Sequence, residues 1–223
     1  MFQRKEGLNS KEKPFKYPCI LIFMEDKIKE AVKVYNKIAS IYSEHNFPKL
    51  MQFQLTKFQS FLKGKRLLDA GCGVGRDVDY FVEDGYDIIG IDVSKKMIEE
   101  AKKLVPKGNF KVMDFRKMSF KDNSFDGVWC MASLYHVAPK EMPKVLKEFH
   151  RVLDEKGVLY LAVYEGTGKK EVDDPNYKEK RTFYYYNQEK MQEYLEDAGF
   201  SIIRSEVNDT EEHKWLEVYA RKS

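Results

Sequence analysis

Cysteine is scarce in this chain, with only 3 in 223 residues. Cys19, Cys72 and Cys130 are odd in number, far apart and without a CxxC pair. That excludes a disulfide framework and points to a reducing, cytoplasmic setting. Histidine is equally thin: His45, His136, His150 and His213 form no i, i+4 pair and no Cys/His cluster, so no metal site is expected. Charge of one sign is also missing. Lys plus Arg number 39 against 36 Asp plus Glu, a net +3, which gives no electrostatic case for a dedicated nucleic-acid binder. The longest apolar run near the start, Cys19 to Met24, is far below the 18 or more residues of a membrane span. The opening MFQRKEGLNSKEKPFK has no apolar signal core. Two catalytic signatures fail as well. Gly166-Thr-Gly-Lys-Lys170 would need glycine at Val163 to be a phosphate loop, and no serine sits in a G-x-S-x-G elbow.

What is present is a globular composition, 43% hydrophobic and 34% charged. At about 150 residues per domain the length suits one large domain, or one domain with an extension. Residues 1 to about 17 read as a charged arm. From Glu25 to about Ser43 the apolar positions Ile28, Ala31, Val32, Tyr35, Ile38, Ala39 and Tyr42 recur at three and four, which predicts an amphipathic helix. A second helix is expected over Pro48–Leu62, stopping at Lys63-Gly64.

From Lys65 short apolar runs alternate with amphipathic stretches. Strands are expected at 66–70, 86–93, 109–114, 125–131 and 157–164, with helices at 77–83, 95–104 and 139–153 between them. Strands that read as unbroken apolar runs, separated by helices, predict a parallel sheet covered on both faces. The tail differs: a helix over Asn187–Ala198 closed by Gly199, then two strands joined by Asn208-Asp209-Thr210-Glu211-Glu212. So short a link joins antiparallel neighbours and cannot hold a crossover helix. The remaining segment, 165–186, reads either as a lid over a ligand crevice or as an edge strand with Phe183 and Tyr185 facing inward.

Gly71, Gly73 and Gly75 in LLDAGCGVGRDV follow a strand and precede a helix, where glycine lets the backbone approach an anionic or polar ligand. The spacing is G-x-G-x-G, and the third glycine of a dinucleotide fingerprint would fall on Arg76. Asp92 ends the next strand, where a carboxylate can accept from two ribose hydroxyls. It could instead cap the following helix, but Ser94 is available for that task.

These motifs together resemble the class I S-adenosylmethionine-dependent methyltransferases, in particular the small-molecule-type methyltransferase domain. LLDAGCGVGRDV, GIDVSKKMIEEAK, VMDFRKMSFKDNSFDGVWCMASLYHV, LKEFHRVLDEKGVLYLAV and YYNQEKMQEYLEDAGFSII carry the likeness over about 65–221. The resemblance implies an α/β, Rossmann-like sheet of order 3-2-1-4-5-7-6 with an antiparallel last strand. Residues 1–64 would supply an arm and cofactor-covering helices, and 65–223 a single methyltransferase unit. It implies S-adenosyl-L-methionine as cofactor. Asp69 and the loop Gly71, Cys72, Gly73, Gly75 would hold its methionyl part, and Asp92 its ribose. Val93 and Met97 would pack near the adenine, Asp114 and Phe115 would contact it, and Met131 would lie near the sulfonium. Tyr35 and Tyr42 would reach over the cofactor, or serve only as core aromatics. His136 is the candidate catalytic base, with a packing role as the alternative. The implied acceptor is a small molecule. Rival readings are methylation of tRNA or protein, an NAD-binding Rossmann module, and a cofactor-binding partner without turnover. A chain that differs from the family in having Asp154-Glu155-Lys156-Gly157 for Pro-Gly-Gly differs only at a turn.

Overall fold

The protein is described by a computed structural model over residues 27–47, 51–210 and 213–223. The charged arm, the apolar run containing Cys19, the expected helix start at Glu25, Pro48–Leu50 and Glu211-Glu212 lie outside the described residues. Two helices lead, α1 (Lys27–Asn46) and α2 (Gln52–Phe61). The alternation then runs β1 (Arg66–Ala70), α3 (Arg76–Glu83), β2 (Asp87–Asp92), α4 (Lys95–Leu104), β3 (Asn109–Val112), β4 (Phe125–Met131), α5 (Met142–Val152) and β5 (Leu153–Tyr164). A hairpin of β6 (Lys169–Asp174) and β7 (Glu179–Tyr184) follows, then α6 (Gln188–Asp197), β8 (Phe200–Asp209) and β9 (Lys214–Lys222).

Seven strands form one sheet in the order β3-β2-β1-β4-β5-β9-β8. The first five are parallel, and β9 runs antiparallel to both β5 and β8. This is the expected order once the inserted hairpin takes two places in the strand count. The hairpin corrects the edge-strand alternative: β6 and β7 pair with each other as a separate two-stranded sheet. Phe183 is buried as expected, but Tyr185 is only half-buried, and the deep aromatic beside it is Tyr186.

Strand alternation divides the core into two layers. Leu68, Ala70, Val128, Cys130, Leu159 and Leu161 face α5 and α6, where Val145, Leu146, Phe149 and Leu195 meet them. Leu67, Trp129, Val158, Tyr160 and Tyr219 face the other way, towards Leu55, Phe58, Val78, Phe81 and Ala101 of α2, α3 and α4. Trp129 stacks on Tyr160 at 4.0 Å between ring centres. Capping fixes the helix starts. Ser94 accepts from the Met97 amide at 3.1 Å, and Asn187 from the Lys190 amide at 2.9 Å. Gly199, at φ 91°, stops α6 in the left-handed region that glycine favours. Among the described residues, no helix is long and apolar enough to cross a membrane.

Candidate functional site

The carboxyl ends of β1, β2 and β4 open into a cleft. Open α/β sheets bind ligands at this position. The floor is the turn after β1 and the end of β2. The Gly71 and Cys72 amides donate to the Ile91 carbonyl at 2.8 and 2.9 Å, which pins the turn to β2. Asp92 then receives the Gly73 amide on one oxygen (3.1 Å) and the Ser94 amide on the other (2.7 Å). Ser94, not Asp92, caps α4 with its side chain. Burial pushes Asp92 up to about 6, against the opposing pull of those two amides.

The three glycines of the turn all have positive φ, for different local reasons. A Cβ on Gly71 would strike the Ser133 hydroxyl oxygen at 2.0 Å. One on Gly73 would meet nothing within 4 Å, so its open side faces the cleft. One on Gly75 would overlap the Phe110 ring at 2.7 Å and press on Ala101. Gly75 therefore serves the packing of α3 against α4 and β3.

Of the expected site residues, the cleft brings together Tyr35, Tyr42, Gly71, Gly73, Asp92, Val93, Met97, Asp114, Phe115 and His136. Asp69, Cys72, Gly75 and Met131 do not line it. Asp69 alternates onto the Leu67 side of β1, beside Arg76 and Asp77. Burial and the neighbouring Asp77 carboxylate push it well above the usual carboxylate range. Cys72 is buried against Gly90, and burial pushes its thiol up. Met131 shares the Trp129 face of β4, where its sulfur accepts the Tyr160 hydroxyl at 3.7 Å. Ala132 (φ 55°) and Ser133 take the cleft position instead, with the Ser133 hydroxyl donating to the Gly71 carbonyl at 3.1 Å. Asp114 lines the cleft but is shared: Arg116 reaches it through its backbone amide (2.8 Å) and its guanidinium (2.6 Å).

The roof comes from α1 and from the 3₁₀ turn Leu134–His136. Ile28, Ala31 and Val32 of α1 line the cleft, which the sequence reading missed although their helical spacing was evident. Asn36 ties α1 down by accepting from the Ser94 hydroxyl (2.9 Å) and the Lys96 amide (3.1 Å). His136 sits with Nδ1 3.2 Å from the Thr182 carbonyl and Nε2 3.0 Å from the Tyr35 hydroxyl. A carbonyl only accepts, so Nδ1 carries the proton. Burial, with nearby Arg181 adding to it, pushes the imidazole down to about 3, so it is neutral and Nε2 accepts from the phenol. Both ring nitrogens are thus engaged. Burial also raises Tyr35, with Arg181 opposing, which keeps it a phenol at neutral pH.

Residues 68–161 match the family described as Methyltransferase domain. Phosphoethanolamine N-methyltransferase 3 of Arabidopsis thaliana is 30% identical over 149 residues, covering 64% of this chain and 30% of that protein. The chain therefore spans about a third of the length of that relative. Among solved structures, a SAM-dependent methyltransferase from Methanosarcina mazei superposes with a TM-score of 0.69 at 24% identity, covering 74% of this chain and 96% of that one. The magnesium protoporphyrin IX methyltransferase of Synechocystis PCC 6803, crystallised with SAM, gives 0.66 at 21% identity, covering 90% and 98%.

Proposed function

From a chain that carries a class I methyltransferase domain, we propose an S-adenosylmethionine-dependent methyltransferase acting on a small-molecule acceptor. The observation that carries this reading is the Asp92 carboxylate, held by two backbone amides on the cleft floor beside the open side of Gly73. The residues fit the cofactor. Each Asp92 oxygen keeps a lone pair for a ribose hydroxyl, and the space over Gly73 would be lost to any side chain.

In this reading Asp92 receives the two ribose hydroxyls, and each charge-assisted bond contributes about 1.5–3 kcal/mol. Val93, Met97 and Phe115 offer apolar contact for the adenine. Asp114 stands at the same end of the cleft, with both of its oxygens already accepting from Arg116. The turn from Gly71 to Gly73 holds the methionyl end. When bound, S-adenosylmethionine supplies an electrophilic methyl group on a sulfonium. The chain's own part is to align the acceptor and keep water out, and alignment can supply roughly 7–11 kcal/mol of the barrier. Helix α1 covers the cleft through Ile28, Ala31, Val32, Tyr35 and Tyr42. On this reading α1 serves as the cover and 65–223 as the catalytic unit.

His136 enters as an orienting group, because its Nε2 already accepts from Tyr35 and its basicity is low. A general base is needed only for a poorly nucleophilic acceptor, and release of the Tyr35 bond would free Nε2 to take a proton. Among the described residues no Lys or Arg lines the cleft, which favours a small acceptor over a polyanion. Low cysteine content and the burial of Cys72 and Cys130 support a cytoplasmic place of action. Thermal unfolding with S-adenosylhomocysteine and, separately, with NADH tests the reading. The first should raise Tm at 100 μM and the second should not, whereas the reverse result replaces it with a dinucleotide-binding protein.

A further inference from the structure

The inserted hairpin meets α1 at several points: Tyr177 with Asn46, Glu179 with Lys37, and, most deeply, Arg181 of β7 with Tyr35. Arg181 Nη1 donates to the Tyr35 hydroxyl at 3.1 Å, and its Nη2 pairs with Asp174 of β6. Its guanidinium carbon lies 5.7 Å from the Tyr35 ring centre, 5.1 Å from that of Tyr177 and 5.2 Å from that of Phe183. The remaining donor nitrogen, Nε, is buried and has no hydrogen-bond partner among the described residues. A planar cation among three ring faces gains cation–π attraction that offsets an unmet N–H. The arginine side chain is 11% exposed and Asp174 15%, so this ion pair is largely withdrawn from water.

Arg181 thereby fixes the direction of the Tyr35 hydroxyl. The oxygen takes the guanidinium N–H, leaving its own proton to point at His136 Nε2, while the next residue along β7, Thr182, holds Nδ1 of the same imidazole. One strand of the hairpin thus grips both ends of the phenol–imidazole pair. We propose that Arg181 is a positioning residue: through Tyr35 it locks α1 and His136 into the closed roof, so that the insertion sets the geometry of the acceptor side of the cleft. The significance for catalysis rests on the methyltransferase reading, whereas the lock itself is a property of the fold.

Side-chain ¹⁵N spectra of the four histidines read the lock without cofactor or acceptor. In the parent protein the His136 Nε2 resonance carries the displacement of a hydrogen-bond acceptor, which Tyr35→Phe removes. Arg181→Gln should remove most of it, and Arg181→Gln in the Tyr35→Phe background should add nothing. Calorimetry with S-adenosylhomocysteine should show the same pattern, about 5-fold weaker binding in each single variant and in the double variant alike. Arg181→Lys keeps the charge but cannot hold Tyr35 and Asp174 in one fork, so it should restore less than half of the loss. Asp174→Asn, which leaves the arginine in place, serves if Arg181→Gln does not fold, and should weaken the same resonance shift. An unchanged His136 signal in the Arg181 or Asp174 variants, or an equal further change in the Tyr35→Phe background, overturns the proposal. Failure of the parent protein to bind S-adenosylhomocysteine would sink the methyltransferase reading and leave the spectroscopic arm to decide Arg181.

Discussion

The floor and the roof of the cleft are built by opposite means. On the floor, Asp92 is held by backbone amides 2 and 19 residues away. In the roof, Tyr35 meets His136 across 101 residues and Arg181 across 146. The floor follows from strand ends and glycine backbone geometry, set by the pairing of β1 with β2. The roof depends on side chains from three separate elements that lie far apart along the chain. Changes on the floor should therefore act on ligand affinity, and changes in the roof on the closing of α1 and on stability.

The sharpest separation is expected at Gly73. Gly73→Val should weaken S-adenosylhomocysteine more than 100-fold by filling the open side of the turn, while the left-handed φ of 52° costs only about 1–2 kcal/mol of stability. Near-native affinity in that variant would remove the turn from the ligand. Next comes His136, whose folded form refuses a proton until about pH 3 while the unfolded imidazole takes one near its ordinary value. The unfolded state then binds more protons in between, so stability falls as pH drops from about 6.5 towards 3. His136→Asn should narrow the difference in urea unfolding free energy between pH 7 and pH 4.5 by about 2 kcal/mol. An unchanged difference would place the imidazole in contact with water.

Asp92 has the opposite sign. Its folded-state value is raised to about 6, so it holds a proton that the unfolded chain has released, and it lowers stability as pH rises from about 4 to 6. Ribose hydroxyls need the ionised form, so calorimetric affinity for S-adenosylhomocysteine should rise about 10-fold from pH 5 to pH 7. Asp92→Asn should bind weakly with a flat profile, and a parent profile equally flat would take Asp92 out of the site. The smallest effect is expected where the roof meets solvent. The Lys37–Glu179 pair joins α1 to β7, yet its lysine is 72% exposed. Lys37→Ala should change the free energy of unfolding by no more than about 0.5 kcal/mol. A larger loss would mean that the hairpin is held from outside rather than through Arg181.

The same contrast explains what could be read beforehand. Gly71, Gly73, Asp92 and the Ser94 cap were legible because their spacing along the chain encodes their geometry. The face taken by Met131 was not legible because FDGVWCM is apolar at nearly every position, and a strand buried on both faces does not announce which residues face which way. The packing role of Gly75 was not legible because a glycine that makes room for Phe110 looks the same in sequence as one that makes room for a ligand. Ala132 and Ser133 carried no signal, since the left-handed turn that presents them begins at an alanine.

By itself the amino-acid order determined the parallel sheet with its antiparallel end, the glycine turn and the acidic strand end beside it. Each follows from periodicity or from groups a few residues apart, which local backbone preferences can set. Only the tertiary structure decided which strand face each side chain took and that 165–186 folds back as its own hairpin. It also brought Tyr35, His136 and Arg181 together. Those outcomes depend on burial and hydrogen bonding between distant segments, for which no spacing along the chain is prescribed.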